Sequence, residues 1–432
     1  MKRIAFYTLG CKVNRYDTEA MIAQFKKAGY QIVDFKQEAD IYIINTCTVT
    51  KQGASKSRKI TRRAKRRNPE ALVAVVGCYP QVDPEQVMEI TEVDLVVGTK
   101  GRSKILEFVE QAINSKHQLN FVQEMDEEED FEEVPIQNFT ERTRATIKIQ
   151  EGCNQFCSYC IIPYARGSVR SRALADVIAE VERLVKHGFK EIVLTGIHLG
   201  EYGADKEDLN LVKLIKNLLP ITGLKRIRLS SIEGTEVSQE LIELIAESDK
   251  LCRHLHLPLQ SGSDKILQAM NRPYQVRDFK EMVARIRAQV PEIAITTDVI
   301  VGFPGESEAD FEETYQLMKE LEFSDAHIFK YSKREGTPAA GYENQVHSKV
   351  KKERSKKLRE LTAELARNYQ QQFFGQKLKA LLEESRDYKT GLLTGLTDNY
   401  LRVFVDGADD LAGQLVEVKI RGEAGRIIGS LE

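Results

Sequence analysis

The chain alternates short apolar segments rich in Val and Ile with helical stretches, and this alternation constrains its fold more than any other feature. In the first hundred residues a helix is predicted over Thr18–Ala28, and four strands are predicted over Ile4–Leu9, Ile41–Thr46, Leu72–Gly77 and Leu95–Val97. Strands separated by helices form βαβ units, whose strands are parallel. The sequence therefore predicts a doubly wound α/β domain at the N-terminus.

A longer alternation of the same kind covers residues 143–332, where helical patterns such as Ala175–Lys186 and Phe279–Gln289 separate six predicted strands. These strands are Ala145–Gln150, Glu191–Gly196, Arg226–Ile232, His254–Leu259, Ala294–Val301 and Ala326–Tyr331. Six consecutive βα units favour a partial (β/α)6 barrel over a flat sheet. In either arrangement, functional residues are expected at the carboxyl ends of the strands.

The C-terminal part changes character. The highly charged stretch Ser348–Gln376 predicts one long helix, and five short alternating segments separated by Gly, Asn and Asp follow it. Such segments are typical of a small all-β barrel. The predicted fold class is therefore α/β multidomain, with a doubly wound N-terminal domain, a partial (β/α)6 barrel and a small all-β C-terminal barrel.

The length of 432 residues exceeds one ordinary core, and two to four domains are expected. We place them at residues 1–123, 143–370 (the barrel with its trailing helix) and 371–432. The stretch Glu124–Glu133 holds eight acidic residues, no basic residue and no periodic apolar pattern. Residues 124–142 are therefore predicted to form an acidic linker.

The bulk sequence also predicts where the protein works. No apolar run approaches the roughly eighteen residues of a membrane span, and the apolar run after Met1 is too short for a signal peptide. Seven cysteines, an odd number, argue against a disulfide framework. We therefore expect a cytoplasmic protein with reduced thiols, and neither a membrane nor a disulfide scaffold is part of this interpretation.

The segment GCNQFCSYC places Cys153, Cys157 and Cys160 in a C-x3-C-x2-C pattern directly after the first strand of the predicted barrel. Three thiolates at this spacing can wrap one metal centre, and they suit a [4Fe-4S] cluster with one iron left open. Structural zinc usually takes four protein ligands. The alternatives are zinc completed by a distant residue such as His198 or Cys252, or cysteines that only fill a core.

Three of the four predicted N-terminal strands also end on a cysteine, namely Cys11, Cys47 and Cys78. Because the carboxyl ends of neighbouring parallel strands meet at one edge of a sheet, these three thiols are predicted to converge. A single buried cysteine would be ordinary core filler. Three thiols without a fourth local ligand predict a second [4Fe-4S] cluster with an exposed iron.

Basic residues are concentrated in Lys51–Arg67, which contains nine of them and no acidic residue. Such a block predicts a polyanionic partner, and the alternative is a solvated helix face. The candidate RNA-binding residues are Lys56, Arg58, Arg62, Arg63, Arg66 and Arg67. Phosphate contacts of this kind supply affinity rather than sequence choice.

The C-x3-C-x2-C motif, with Tyr159 before its third cysteine, resembles the signature of the radical S-adenosylmethionine (SAM) superfamily. The resemblance implies that the open iron binds SAM and that reduction of the cluster cleaves SAM to a 5′-deoxyadenosyl radical. It also implies SAM contacts near the strand ends. The candidate cofactor-binding residues are Tyr159, Gly196, Glu233, Gln260 and Val301.

Two such cysteine sites followed by a small barrel, here similar to TRAM-type RNA-binding barrels, resemble the radical SAM methylthiotransferase family. The segment TLGCKVNRYDTEA, Thr8–Ala20, is similar to the subgroup that acts on N6-threonylcarbamoyladenosine beside the tRNA anticodon. The resemblance implies that all six cysteines are catalytic metal ligands and that the cluster on Cys11, Cys47 and Cys78 carries the inserted sulfur. The expected cofactors are two [4Fe-4S] clusters and SAM.

The resemblance also implies partners, namely a tRNA anticodon loop and an electron donor such as a flavodoxin-type protein, and we expect a monomer. Three alternatives stay open at this point. One is a sister methylthiotransferase acting on isopentenyladenosine or on a ribosomal protein aspartate. The others are a non-enzymatic iron–sulfur or zinc RNA-binding protein and a radical SAM enzyme of different chemistry.

Overall fold

A computed structural model describes residues 2–48, 51–125, 130–134, 143–423 and 426–431, with the side chains of residues 51 and 52 left out. The N-terminal part contains a six-stranded sheet. Its strands are β1 (Arg3–Thr8), β2 (Gln31–Val33), β3 (Ile41–Thr46), β4 (Leu72–Gly77), β5 (Leu95–Val97) and β6 (Leu119–Asn120). All pairs are parallel and the strand order is β2-β1-β3-β4-β5-β6.

Helices cover both faces of this sheet. They are α1 (Lys12–Lys27), α2 (Lys51–Arg67), α3 (Cys78–Val82), α4 (Pro84–Met88) and α5 (Ile105–Asn114). Every residue of β3 and β4 is buried, which explains why their sequences are continuously apolar rather than alternating. The doubly wound N-terminal domain is therefore confirmed.

Two details of the N-terminal prediction are wrong. The short edge strands β2 and β6 were not predicted, because three and two residues carry no readable periodicity. Helix α1 begins at Lys12, six residues before the predicted start at Thr18. Its first turns bury the polar residues Asn14 and Asp17, so a pattern based on apolar spacing does not detect them.

The central part forms the partial barrel. Its strands are β7 (Arg144–Lys148), β10 (Glu191–Thr195), β11 (Arg226–Leu229), β12 (His254–His256), β13 (Ala294–Val301) and β14 (Asp325–Lys330), while β8 (Gln150–Glu151) and β9 (Arg170–Ser171) form a separate antiparallel pair. Parallel pairing gives two sheets, β11-β10-β7 and β12-β13-β14, and the bridges of Ile227 to Leu251 and Ser231 to His256 join them. The six predicted strands are confirmed, although β11 and β12 end three residues early.

Helices surround the partial barrel. They are α6 (Ile162–Arg166), α7 (Leu174–Lys186), α8 (Leu211–Leu218), α9 (Gln239–Glu247), α10 (Asp264–Ala269), α11 (Val276–Gln289), α12 (Glu308–Leu321) and α13 (Ser348–Gln371). Helix α13 ends five residues before the predicted end at Gln376, since a turn and Gly375 lead into the next strand. The largest apolar cluster of the protein lies between these helices and the outer face of the strands.

The C-terminal part is a closed five-stranded barrel, as predicted. Its strands are β15 (Lys377–Arg386), β16 (Leu393–Thr397), β17 (Arg402–Val405), β18 (Leu415–Glu423) and β19 (Arg426–Ser430), in the order β15-β16-β17-β19-β18. Closure is completed by antiparallel pairing of β18 with β15. A closed barrel leaves no exposed strand edge.

This small barrel is held against the amino ends of the central strands by two buried arginines. Arg226 and Arg228 donate hydrogen bonds to backbone carbonyl groups of the β15 and β16 region. Arg228 also pairs with the fully buried Glu191 at 2.8 Å. The ring of Tyr400 stacks on His254 with centroids 4.0 Å apart, so the contact is both polar and aromatic.

None of the helices in the described part of the chain is long and apolar enough to cross a membrane. The predicted acidic linker falls partly outside the described residues, since 126–129 and 135–142 are not among them.

We predict that Arg228→Ala destabilises the protein by about 3–5 kcal/mol, because it leaves the buried carboxylate of Glu191 without its closest cation. Urea unfolding followed by circular dichroism measures the change. Lys356→Ala is the matched control, since Lys356 forms an exposed pair with Glu360 at 3.8 Å and should change stability by about 0.5 kcal/mol or less. Equal effects of both substitutions would contradict the prediction.

Candidate functional site

The three N-terminal cysteines lie together at the carboxyl edge of the first sheet. Cys11 and Cys47 follow β1 and β3, and Cys78 follows β4. Strand register places Thr46 beside Gly77, so Cys47 and Cys78 leave the sheet at the same level. Asn14 links the loops, because its Nδ2 donates to the carbonyl of Leu9 at 2.8 Å and to that of Thr46 at 2.9 Å.

Two glycines make this convergence sterically feasible. Gly10 has φ of +109°, and a Cβ there would lie 2.9 Å from Cβ of Cys47. Gly77 has φ of +96°, and a Cβ there would clash with Oδ1 of Asn45. Both dihedral angles disfavour other residues, and a side chain at either position would also push the loops apart. The Gly-Cys pairs of the sequence are therefore a packing requirement.

A buried arginine from the central barrel reaches this site. Arg166, at the end of α6, donates from Nε to Sγ of Cys78 at 3.3 Å and from Nη2 to Oδ1 of Asn14. Burial raises the pKa of the Cys78 thiol, and the guanidinium of Arg166 acts in the opposite direction by favouring the thiolate. A side chain outside the N-terminal domain thus helps to form its cysteine site.

The second cysteine site lies in the loop after β8, at the carboxyl end of the partial barrel. Cys153 lies 3.4 Å from Nδ1 of His198, and Cys157 accepts a hydrogen bond from Nη1 of Arg272 at 3.3 Å. Burial raises the pKa of Cys160 to about 12. The carbonyl of Cys157 accepts the Cys160 N–H at 2.9 Å, which closes a turn between these two cysteines.

The five predicted SAM-contact residues all lie at this end of the barrel. Tyr159 lies in the cysteine loop and packs edge-on against Phe303, with centroids 6.4 Å apart. Gly196 follows β10, and Gln260 follows β12 with φ of +61°. Gly196 cannot be replaced easily, because a Cβ there would lie 2.8 Å from Oε1 of Gln150. The strand ends therefore bring these backbones close to the cysteine loop.

The side chains of the remaining two predicted SAM-contact residues are engaged by other protein groups. Glu233, after β11, forms an ion pair with Arg272, and burial raises its pKa despite that pair. The Val301 side chain packs into the apolar cluster outside the strands. Its carbonyl accepts the Tyr331 N–H at 2.9 Å. Any contact of Val301 with a molecule inside the barrel would therefore come from backbone atoms.

Between the two cysteine sites lies a buried network of five charged side chains. Its members are Asp17, Arg102, Lys148, Glu151 and Arg166, each less than a tenth exposed. Asp17 pairs with all three cations at 2.7–2.9 Å. Burial alone would raise the pKa of Glu151, but Arg102, Lys148 and Arg166 hold it well below its usual range. The network therefore stays ionised and joins the N-terminal domain to the barrel.

The sulfur atoms of the two described cysteine triads are not arranged to hold a single metal ion. Among the described residues, neither triad has all three sulfur atoms within 4.8 Å of one another. A single zinc ion with Zn–S bonds of about 2.3 Å would hold its sulfur ligands roughly 3.8 Å apart. A larger cluster binds each thiolate to a different iron. Cys153, His198 and Glu201 do lie within 4.8 Å, so zinc there would use one cysteine of the triad.

Helix α2 carries the predicted RNA-binding residues. Its inner face buries Ala54, Ser57, Ile60, Thr61 and Ala64. Lys56, Arg62, Arg63 and Arg66 are exposed, as is Lys59, which the candidate set left out. Arg58 instead donates to Tyr79 at 3.0 Å, and Arg67 lies over the Phe35 ring at 5.2 Å. The structure thus divides the basic block into an exposed face and two side chains engaged by the fold.

Sequence reasoning missed two residues at these sites, Arg166 and Arg272. Arg166 belongs to the segment IIPYARG that follows the third cysteine of the loop, so its position near a cluster could have been noticed. Arg272 lies more than a hundred residues from Cys157, and nothing in its local sequence signals the contact. Sequence reasoning considered His198 only as a distant ligand of the alternative zinc site, and the structure buries it beside Cys153.

Two family descriptions match the chain. Residues 3–98 match a family described only as uncharacterized protein family UPF0004. Residues 147–318 match the radical SAM superfamily. Together with the partial barrel and the cysteine loop at its carboxyl end, this second match defines a radical SAM enzyme.

Relatives that span nearly the whole chain narrow this class. MtaB of Bacillus subtilis, a threonylcarbamoyladenosine tRNA methylthiotransferase, is 48% identical over 97% of this chain and 94% of the relative. MtaB of Aquifex aeolicus is 42% identical over 97% and 100%. A tRNA-2-methylthio-N(6)-dimethylallyladenosine synthase of Clostridium tetani is 38% identical over 96% and 92%. The chain belongs to the MtaB-type tRNA methylthiotransferases.

Solved structures support the fold. The radical SAM methyltransferase TsrM from Kitasatospora setae has a TM-score of 0.58 at 16% identity, over 78% of this chain and 74% of that chain. The cobalamin-dependent SAM radical enzyme OxsB has a TM-score of 0.52 at 14% identity, over 83% and 56%. At such identities the likeness concerns architecture alone. It confirms the predicted α/β class.

We predict that iodoacetamide distinguishes Cys11 from Cys252 in iron-free protein at pH 8. Cys11 is exposed, whereas burial raises the pKa of Cys252 to about 12, so only about one Cys252 thiol in ten thousand is ionised. Peptide mass spectrometry over a time course should show Cys11 alkylated first and Cys252 last. Comparable rates at the two positions would contradict the described burial; urea-unfolded protein, in which both react, is the control.

Proposed function

We propose that the protein adds a methylthio group to carbon 2 of N6-threonylcarbamoyladenosine next to the tRNA anticodon. The observation that carries this proposal is the presence of two separate cysteine triads, one at the edge of each α/β unit, joined by a buried charge network. The MtaB relatives, which match nearly the whole chain, support the choice of substrate.

Six cysteines have the proposed catalytic role of cluster ligands. Cys153, Cys157 and Cys160 would hold the cluster that binds SAM, and Cys11, Cys47 and Cys78 would hold the auxiliary cluster. When bound, these groups supply the electron, the radical and the sulfur that the reaction needs. The chain's own residues bind them, orient the adenosine and exclude water, and Tyr159, Gly196, Glu233, Gln260 and Val301 are proposed to contact SAM.

Polar groups inside the barrel favour a polar substrate. His256, Asp298 and His327 project from β12, β13 and β14 with their ligand atoms within 4.8 Å of one another. Their neighbours on the same strands, such as Leu255 and Ile328, belong to the outer apolar core. His256 and Asp298 also pair with each other at 3.2 Å. A threonylcarbamoyl group carries a carboxylate and a hydroxyl that can hydrogen-bond to such side chains, whereas an isopentenyl group offers them no polar atom.

The exposed basic face of α2 is proposed to hold the RNA. This helix begins close after Cys47 and runs back toward the amino ends of β3 and β4, where Lys65 donates to the carbonyl of Ala71 at 2.8 Å. Of the exposed basic residues described on α2, Lys56 and Lys59 are therefore the nearest to the auxiliary triad in the chain. The C-terminal barrel, with basic residues on its strands and on α13, is proposed as a second RNA-binding element. A base in an anticodon loop is already unpaired, so exposing it to the barrel costs little.

The proposal also covers the location, the oligomeric state, the electron donor and the domain division of the enzyme. We propose that it acts as a cytoplasmic monomer and receives electrons from a flavodoxin-type protein. We also retain the division into an N-terminal domain at residues 1–123, an acidic linker at 124–142, the barrel at 143–370 and the C-terminal barrel at 371–432.

The test of the substrate is a deletion strain complemented with wild-type protein, Cys47→Ala or Cys252→Ala. We predict that digested tRNA contains the methylthio derivative of threonylcarbamoyladenosine with wild type and Cys252→Ala, and lacks it with Cys47→Ala. Purified Cys47→Ala should still cleave SAM to 5′-deoxyadenosine, because the other triad is intact. Mass spectrometry of nucleosides measures both products.

Other outcomes of this experiment identify the alternatives. If the derivative persists without the protein while methylthio-isopentenyladenosine disappears, the enzyme is the sister tRNA methylthiotransferase. Full activity of Cys47→Ala would remove the N-terminal cysteine site from the mechanism. Anaerobic analysis should find about eight iron and eight sulfide per chain, and a zinc-only protein would contradict the proposal altogether.

We predict that replacing Lys56, Lys59, Arg63 and Arg66 by Gln weakens tRNA binding at all loop sequences alike. The slope of log K against log[salt] should fall by about 0.7–0.9 for each phosphate that the variant no longer neutralises. Filter binding at several salt concentrations measures it. Lys213→Gln with Lys216→Gln on α8 is the control, since these lysines pair with Asp208 and Glu240. An unchanged slope in the α2 variant would reject this RNA surface.

A further inference from the structure

In each cysteine triad one sulfur atom accepts a hydrogen bond from a buried arginine. Arg166 Nε donates to Sγ of Cys78, and Arg272 Nη1 donates to Sγ of Cys157, both at 3.3 Å. We propose that these arginines are positioning residues that raise the reduction potentials of the two clusters separately, Arg166 for the auxiliary cluster and Arg272 for the SAM-binding cluster. The inference rests on the proposed assignment of one [4Fe-4S] cluster to each triad.

The guanidinium of Arg166 is fixed on every side. Its side chain is fully buried. Nη1 donates to Oδ2 of Asp17 at 2.9 Å and to Glu151, and Nη2 donates to Oδ1 of Asn14. With three of its four Nη N–H groups donated to these partners, Nε remains directed at Cys78. Rotating it away would leave two buried carboxylates with fewer partners, which is costly.

Arg272 is held by a smaller set of partners. It forms an ion pair with Glu233, donates from Nε to the Tyr274 hydroxyl at 3.2 Å and lies over the Tyr274 ring at 5.0 Å. Its side chain is 3% exposed. None of these partners belongs to the five-charge network around Arg166. The two arginine–sulfur contacts are therefore structurally independent.

The physical effect of such a contact has a definite sign. Reduction of a [4Fe-4S] cluster adds one electron, so the negative charge on its thiolate ligands increases. A cationic N–H donor stabilises that added charge, and charge-assisted hydrogen bonds are stronger than neutral ones, more so away from water. Hydrogen bonds to cluster sulfurs are among the factors that set these potentials. Removing either donor should therefore make its cluster harder to reduce.

Because Arg166 belongs to the barrel, the reduction potential of the auxiliary cluster should depend on contact between the barrel and the N-terminal domain. The seven residues from Cys160 to Arg166 carry a ligand of one triad at one end and the donor to the other triad at the opposite end. Separation of the N-terminal domain from the barrel would remove this donor from Cys78. The potential of the auxiliary cluster would then report whether the domains are in contact.

The experiment uses two single-cluster forms of the full chain. Cys153, Cys157 and Cys160 are replaced by Ala in one, and Cys11, Cys47 and Cys78 in the other. Arg166→Gln and Arg272→Gln are then introduced into each form, which gives four variants. Each cluster takes one electron from dithionite, and electron paramagnetic resonance follows the reduced state against the solution potential.

We expect each substitution to lower only the potential of its own cluster. The expected change is about a tenfold smaller equilibrium constant for reduction, which is about 59 mV for a one-electron couple. Arg166→Gln should act in the auxiliary form and Arg272→Gln in the SAM-binding form. Unchanged potentials, or equal shifts of both clusters by either variant, overturn the inference. An unsubstituted protein that binds only about four iron instead refutes the proposed function.

The Arg166→Lys variant separates the loss of the hydrogen bond to Cys78 from misfolding of the protein. It keeps a cation for Asp17 and Glu151 but lacks the Nε–H donor, so the potential should fall in this variant as well. Iron content and circular dichroism establish that it is folded. A folded Arg166→Lys protein with an unaltered auxiliary potential contradicts the inference for Arg166. Because Arg272 lies outside the charge network, the Arg272→Gln variant tests the inference for Arg272 separately.

Discussion

The arrangement of this protein depends on a buried ion network that joins its N-terminal domain to its barrel. Three cations, Arg102, Lys148 and Arg166, surround two carboxylates, Asp17 and Glu151, with almost no access to water. Burying five charges is favourable only when every one is paired at close range. Small changes in docking would break several pairs together, so the network admits one relative placement of the two domains. The relative position of the two cysteine triads is therefore fixed by the same network.

Much of the architecture is encoded locally and could be predicted. The apolar runs of β3 and β4, the C-x3-C-x2-C loop and the Gly-Cys pairs after β1 and β4 each lie within a few neighbouring residues. Parallel strands bring their carboxyl ends to one edge, so convergence of Cys11, Cys47 and Cys78 followed from topology. The small C-terminal barrel could also be predicted from local sequence, because each of its five strands is a short segment of alternating apolar and polar residues bounded by Gly, Asn or Asp.

What could not be predicted depends on partners distant in sequence. The first turns of α1 carry Asn14 and Asp17, which are buried at the interface between the N-terminal domain and the barrel. Because these residues are polar, apolar spacing did not indicate a helix there. Arg272 meets Cys157 because the end of α10 is hydrogen-bonded to the cysteine loop, where the Ser158 N–H donates to the Met270 carbonyl at 3.0 Å. The short strands β2 and β6 exist because neighbouring strands pair with them. In each case tertiary contact outweighs local preference.

The attachment of the C-terminal barrel has a geometric consequence. Arg226 and Arg228 anchor it at the amino ends of the central strands, while both cysteine triads lie toward the carboxyl ends. The eight residues of β13 span roughly 26 Å at about 3.3 Å per residue. The proposed RNA-binding surface of the small barrel is therefore separated from the triads by about the length of one strand of the central barrel. An RNA that contacts both places has to span that distance.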